Sequence, residues 1–141
     1  RVNGGFRQRV VGKQYEAVVH GHVMDEVGEI DLPLAPDPDR NPYQRVDPVN
    51  GLRSLTRYRV IARVDLAGEP VTRLALKPVT GRTHQLRVHL MSVGHPIVGD
   101  PLYAPPDSAT HFGRLHLHAA RLAIIHPRWR TARMFESAVP F

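Results

Sequence analysis

The sequence predicts an α+β chain built mainly on antiparallel strands. Three observations carry that expectation. Residues 57–66 alternate, with Tyr58, Val60, Ala62, Val64 and Leu66 on one face and Arg57, Arg59 and Arg63 on the other. Ala67-Gly68-Glu69-Pro70 supplies turn chemistry and is followed by a second alternation over 71–78, with Thr72, Leu74 and Leu76 set against Arg73 and Lys77. The two read as an antiparallel hairpin. Beyond residue 82 the apolar period changes from two to helical, with Leu86, Leu90 and Val93 at i, i+4 and i+7.

The remaining elements follow in order. Residues 15–23 place Tyr15, Ala17, Val19 and Val23 on one face and Glu16, His20 and His22 on the other, with Val18 the exception, as a half-buried strand would. Between 33 and 48 five prolines are interleaved with Asp37, Asp39, Arg40, Asn41, Arg45 and Asp47, which reads as a loop excluded from any sheet interior. After the hairpin, Thr83 is the expected cap of a short amphipathic helix of about three turns, and Gly94 its end. Residues 101–113 read as loop. Residues 115–125 carry apolar side chains on both parities, as a largely buried strand does, and 131–136 can pair with them across a turn over 127–130. There is no internal repeat and no low-complexity segment.

Composition narrows the function classes. A chain of 141 residues with 42% hydrophobic content supports one domain with one core. Without cysteine, disulfides and thiolate zinc sites are excluded, which suits a cytoplasmic setting. No apolar run is long enough to span a bilayer, and no basic-then-apolar leader is present. The chain opens on Arg1, so further sequence is expected upstream. Nineteen Lys and Arg against thirteen Asp and Glu give a net charge of +6 and a pI near 10.5. Most of those cations are arginine, whose planar fork suits phosphates and base edges, so nucleic acid is the first expected partner. A GC-rich coding sequence would also favour arginine, and charge alone leaves both readings open.

Chemistry concentrates in Lys77-Pro78-Val79-Thr80-Gly81-Arg82-Thr83-His84-Gln85-Leu86-Arg87-Val88-His89, followed by Gly94-His95-Pro96-Ile97-Val98-Gly99-Asp100. Thr80-Gly81 is expected to bend tightly and to release Arg82 at the mouth of the helix, where free amides favour a carboxylate or phosphate. The plainer alternative is that Arg82 pairs with a surface acid while Gly81 turns the chain.

This stretch resembles the arginine motif of RluA-type pseudouridine synthases, enzymes that isomerise uridine in structured RNA. Lys13-Gln14-Tyr15 is similar to the family's Lys-x-Tyr segment, and Leu115-His116-Leu117-His118-Ala119 to its Leu-x-Leu-His-Ala segment. Residues 6–141 share the likeness. The resemblance implies a mixed, mainly antiparallel sheet with flanking helices and loops around a basic cleft. It also implies RNA (rRNA or tRNA) as partner, and neither cofactor nor metal. By this likeness Arg82, which in the family contacts the catalytic aspartate, and Tyr15, which stacks on the target base, are the catalytic candidates. Lys77, Thr80, Gly81, His84, Gln85, Arg87 and Leu117 are the substrate-binding ones. Tyr15 and Leu117 could equally serve as core residues. The family's nucleophilic aspartate lies in a His-Arg-Leu-Asp segment that these 141 residues do not contain, and Asp100 matches a loop position instead. The chain is therefore expected to be the C-terminal part of one catalytic domain, inert by itself because arginine and tyrosine cannot replace a carboxylate nucleophile.

Two rivals stand beside this. Nine histidines invite a metal site; His116 and His118 are well spaced for one on a strand, whereas His84 and His89 do not share a helix face. Without cysteine or a His-Glu-x-x-His pattern no metal is expected. The second rival is a catalytically inactive RNA-binding module using Arg57, Arg59, Arg63, Arg73 and Lys77 on phosphates, or, more plainly, those five cations as a solvated sheet face.

Overall fold

In chain order, the computed structural model, which describes residues 9–126 and 131–141, runs β1 (Arg9–His20), β2 (Val27–Asp31), β3 (Leu34–Pro36), β4 (Gln44–Val46), β5 (Leu55–Leu66), β6 (Glu69–Pro78), α1 (Gln85–Ser92), α2 (Pro106–Phe112), β7 (Leu117–His126) and β8 (Thr131–Glu136). Six strands form one sheet in the order β2-β5-β6-β1-β7-β8, and every pair among the described residues is antiparallel. The fold is thus α+β, with two helices beside a mainly antiparallel sheet.

The expected hairpin is β5–β6, closed more tightly than the turn residues suggest. Leu66 already pairs with Glu69, and Ala67 and Gly68 both take positive φ, the geometry of a two-residue turn whose twist matches that of its strands. One irregularity inverts part of the predicted pattern. A bulge between Val60 and Ala62 leaves Ile61 without a cross-strand partner, so the period of two slips by one. Tyr58 and Val60 pack with Leu74 and Leu76 on the core side, whereas Ala62 lies opposite Arg73 on the other side. Arg63 is thereby separated from Arg57 and Arg59. It lies opposite Thr72, donates to the Val23 carbonyl and pairs with Glu26.

The main core fills the face of the sheet beneath α1. Ala17 and Val19 of β1, Leu74 and Leu76 of β6, Leu86 and Leu90 of α1 and Ile97 are buried together there. On the opposite face Val18, Val71 and Val98 form a smaller cluster, which explains why Val18 breaks the β1 alternation: both faces are covered at that point.

Three expectations change. The proline-rich stretch 33–48 is not all loop, since Leu34, Ala35 and Pro36 pair with Val46, Arg45 and Gln44 as a separate two-stranded ribbon, leaving the prolines out of the main sheet. The first helix has eight residues rather than three turns. Its N-cap is His84 in the left-handed region, without a side-chain cap bond, so Thr83 does not cap it, and Val93 at the C-cap is exposed. Residues 101–113 contain α2, which has Pro106 in its first turn and Gly113 in the left-handed region after it. That pattern is a helix signal even where apolar periodicity is weak. The β7–β8 pairing forms as expected, and the turn proposed over 127–130 lies outside the described residues. Among the described residues no helix is long and apolar enough to cross a membrane.

Candidate functional site

Four separate parts of the chain converge on one cleft of about 280 Å³. β1 contributes Lys13 and Tyr15, which share a face by the strand period. The end of β6 and the following loop bring Pro78, Thr80, Gly81, Arg82 and His84. The first turn of α1 adds Gln85, Leu86 and Arg87, and β7 adds Leu117. Register explains the meeting: Tyr15 lies opposite Leu76 on one side and Ala119 on the other, and Ala17 lies opposite Leu117. Both candidate catalytic residues, Arg82 and Tyr15, line this cleft, and so do all the substrate-binding candidates except Lys77. Lys77 stands one residue before Pro78 and therefore points to the other face of the sheet, into a groove with Gln14, Arg57 and Arg59. Its placement with the cleft residues is corrected on that ground.

Gln85 holds the arginine loop in place. Its side chain is buried, and its amide nitrogen donates to the Leu55 carbonyl (2.9 Å) and to Thr56 Oγ1 (3.0 Å). Its Oε1 accepts from Thr80 Oγ1 (2.6 Å) and from the Arg82 amide (3.1 Å). Thr80 Oγ1 also accepts from the Leu55 amide, so the loop is tied to β5 through both residues. The network runs on to His89. Thr56 Oγ1 lies 2.8 Å from His89 Nδ1, and His89 Nε2 lies 2.8 Å from the Leu32 carbonyl. The Leu32 carbonyl requires a proton on Nε2, and in the neutral ring that burial favours Nδ1 accepts from the Thr56 hydroxyl. Burial accordingly lowers the His89 pKa, against a smaller opposing effect of the Leu32 carbonyl.

Arg82 is exposed and makes no ion pair among the described residues. Its Nε and Nη2 both donate to the Arg53 carbonyl, at 3.1 and 3.0 Å. A guanidinium anchored by a neutral carbonyl keeps its full charge beside the cleft. Gly81 does not take positive φ, and a methyl group there would meet nothing within 4 Å. Its part in a tight bend is therefore dispensable, and its effect is to leave space above the loop.

Arg87 is committed elsewhere. It makes a bidentate pair with Asp100 (Nε to Oδ2 2.9 Å, Nη2 to Oδ1 2.7 Å), and Asp100 is fully buried. The Leu102 and Tyr103 amides also donate to Oδ1 of Asp100. Burial pushes the Asp100 carboxyl up, but Arg87 and these amides outweigh it and hold the pKa below the ordinary value. Tyr103 closes the circuit, since its hydroxyl accepts from the Gln44 amide (2.9 Å) and lies 2.7 Å from His84 Nδ1. The segment from Gly99 to Tyr103 is thus a brace that sets Arg87 and His84 at the cleft wall. His84 has a lowered pKa, first from burial and then from the Arg87 charge, and sits there as a neutral ring.

The cleft therefore presents an aromatic and aliphatic surface (Tyr15, Leu86, Leu117), the cations Lys13 and Arg82, and the compensated Arg87. No carboxylate lines it among the described residues. That chemistry can seat a flat, partly apolar group attached to an anion. Among the described residues no three His, Asp or Glu side chains gather as metal ligands. The histidine pairs noted in the sequence go separate ways: His116 Nδ1 donates to the Arg114 carbonyl, His118 Nε2 bonds Ser137, and His84 and His89 have the partners given above. Lys13, Pro78 and Leu86 join the cleft without having been expected there from sequence. Lys13 could have been found from its even spacing to Tyr15.

Comparison with known proteins places these features in a wider set. Residues 1–92 match a family model described as RNA pseudouridylate synthase. The chain is 45% identical over 122 residues to the dual-specificity RNA pseudouridine synthase RluA of Haemophilus influenzae, covering 86% of this chain and 54% of that protein. It is 43% identical over 136 residues to the protein of the same name from Escherichia coli K12, covering 96% and 61% respectively. The structure resembles human RNA pseudouridylate synthase domain containing 1 with a TM-score of 0.81 and 33% identity, over 94% of this chain and 56% of the human one. The chain thus spans a little over half the length of these relatives.

Proposed function

The chain belongs to the RluA-type RNA pseudouridylate synthases, and on that premise we propose that its cleft receives a uridine turned out of structured RNA, rRNA or tRNA, in the cytoplasm. The observation that carries this reading is the convergence of Tyr15, Arg82 and Leu117 from three distant parts of the chain on one cleft. In this reading the uracil lies against Tyr15 and Leu117, where stacking on an aromatic ring can offset part of the energy of unstacking. Arg82 and Lys13 meet the flanking phosphates or the partner carboxylate. His84 and Arg87, braced by Tyr103 and Asp100, form a fixed wall.

Conversion of uridine to pseudouridine breaks the bond from N1 to the ribose C1′, forms one from C5 to C1′, releases the C5 proton and protonates N1. Some group must act on the sugar or base while uracil is detached, and in the family it is an aspartate carboxylate. Among the described residues the cleft lining holds Lys13, Arg82, His84 and Arg87 but no carboxylate, which favours a division of labour. These 141 residues bind and orient the nucleotide, and isomerise it only when joined to a segment bearing the aspartate. By themselves they act as an RNA-binding module.

Release of tritium from RNA labelled at uridine C5 tests this. The 141-residue chain is expected to bind the RNA and release none, and the same chain extended at its N-terminus by the family's His-Arg-Leu-Asp segment to release it. Release by the short chain would overturn the division of labour. Silence of a folded, RNA-binding extended chain would overturn the enzyme reading.

A further inference from the structure

Directly behind the cleft, on the other face of the sheet, lies a second basic groove of about 180 Å³. Arg57, Arg59 and Lys77 line it, with Gln14, Tyr58, Ala75 and Leu76 between them, and no acid among its lining residues. The two sites stand back to back through the same strands. Gln14 lies between Lys13 and Tyr15 on β1, and Lys77 immediately precedes Pro78 on β6, so alternate residues of each strand serve opposite sites.

The groove's electrostatics are poorly suited to a purely structural role. Arg57 lies directly opposite Lys77 across the β5–β6 ladder, and like charges in that position destabilise a sheet. Glu29 relieves one of them through a 2.7 Å bond to Arg57 Nε, a half-exposed pair of small energetic value. Arg59 faces Val27 and Ala75 across its two ladders, and among the described residues neither Arg59 nor Lys77 has an ion-pair partner. Two uncompensated cations and a third held half-neutralised on a rigid strand pair present a concave surface to an extended polyanion. We propose that this back-face groove is a second RNA site, which grips backbone phosphates of the helix flanking the target loop. The inference rests on the reading of the chain as an RNA enzyme and adds an anchor that the uridine cleft does not need.

The site reads charge and not sequence, so the probe is a uridine-free G·C RNA duplex of about 16 base pairs, with the Arg59→Gln/Lys77→Gln double variant compared with the parent chain. Removing one cation from a phosphate lowers the salt slope of log K by about 0.9. The parent chain should therefore fall about tenfold further in affinity than the double variant between 50 and 200 mM salt. Arg40→Gln, an exposed cation that lines neither the cleft nor the groove, should keep the parent's slope. An identical slope and affinity in the double variant, with its thermal melt unchanged, would overturn the groove. Tritium release by the extended parent chain is followed alongside. If release fails while the double variant still has the reduced slope, the uridine reading falls and the groove stands. If release proceeds while the slope is unchanged, the groove falls alone.

Discussion

Replacing Gln85 with leucine separates a positioning residue from a substrate contact. Gln85 makes four hydrogen bonds and is only 3% exposed. Leucine fills a similar volume but satisfies none of them. The Thr80 hydroxyl and Arg82 amide lie near the surface and can turn to water. The Leu55 carbonyl keeps the Val79 amide, and Thr56 keeps His89, so neither is wholly orphaned. At about 1 kcal/mol net per bond, with two of the four recovered by solvent, the loss is about 2 kcal/mol. For a chain of this size that lowers the melting temperature by roughly 6–8 °C. The assay is urea denaturation followed by circular dichroism, paired with RNA affinity at a temperature where both proteins are folded. Gln85→Glu adds a fingerprint. A carboxylate buried there has its folded pKa raised, so the folded state binds the extra proton, and stability is full below about pH 4.3 and drains as pH rises through the raised value. A shift below about 0.5 kcal/mol combined with a tenfold loss of RNA affinity would refute the reasoning and make Gln85 a direct ligand.

Other outcomes follow from the same geometry. Arg87→Leu strands a fully buried carboxylate and should cost about 3–5 kcal/mol, measured by urea denaturation. His20, His84 and His89 all have lowered pKa values, with burial the main cause of each. Between the folded values and the unfolded value near 6.5 the unfolded chain binds more protons, so stability should fall as pH drops from about 7 to 5; a flat thermal-melt profile there would contradict the neutral-ring assignment. Gly81→Ala should leave stability within about 0.5 kcal/mol of the parent while weakening RNA binding through a narrowed cleft. Gly99→Ala should lose more than about 3 kcal/mol, since Gly99 has φ +79 and an added methyl would collide with the Arg114 carbonyl; equal melts for the two variants would refute the contrast.

Much of this was legible in the sequence wherever side chains obey a strict period. The β5–β6 hairpin and most of β1 follow alternation, the β7–β8 pair stands out as an apolar run on both parities beside a second short strand, and Thr80, Gly81, Arg82, His84, Gln85 and Arg87 do meet at one cleft. Reading failed where one local event resets the period or breaks it. A single bulged residue, Ile61, moves Arg63 away from Arg57 and Arg59. Strand parity turns Lys77 away from Pro78, which motif matching alone does not register. Thr83 is a reasonable cap by type, but His84 takes the capping position in the left-handed region, and its ring is held by Tyr103, nineteen residues on. The brace from Asp100 to Arg87 and the links from Gln85 to β5 are tertiary contacts for which one sequence carries no local signal.

The central claim is that the Tyr15–Arg82–Leu117 cleft receives a uridine. Backbone amide shifts of the isotope-labelled chain, titrated with an RNA stem-loop carrying one loop uridine and with the same stem-loop carrying cytidine there, test it most directly. The account predicts that the difference between the two titrations concentrates at Lys13, Tyr15, Arg82, His84 and Leu117. Identical titrations, or a difference confined to residues away from the cleft, would contradict it.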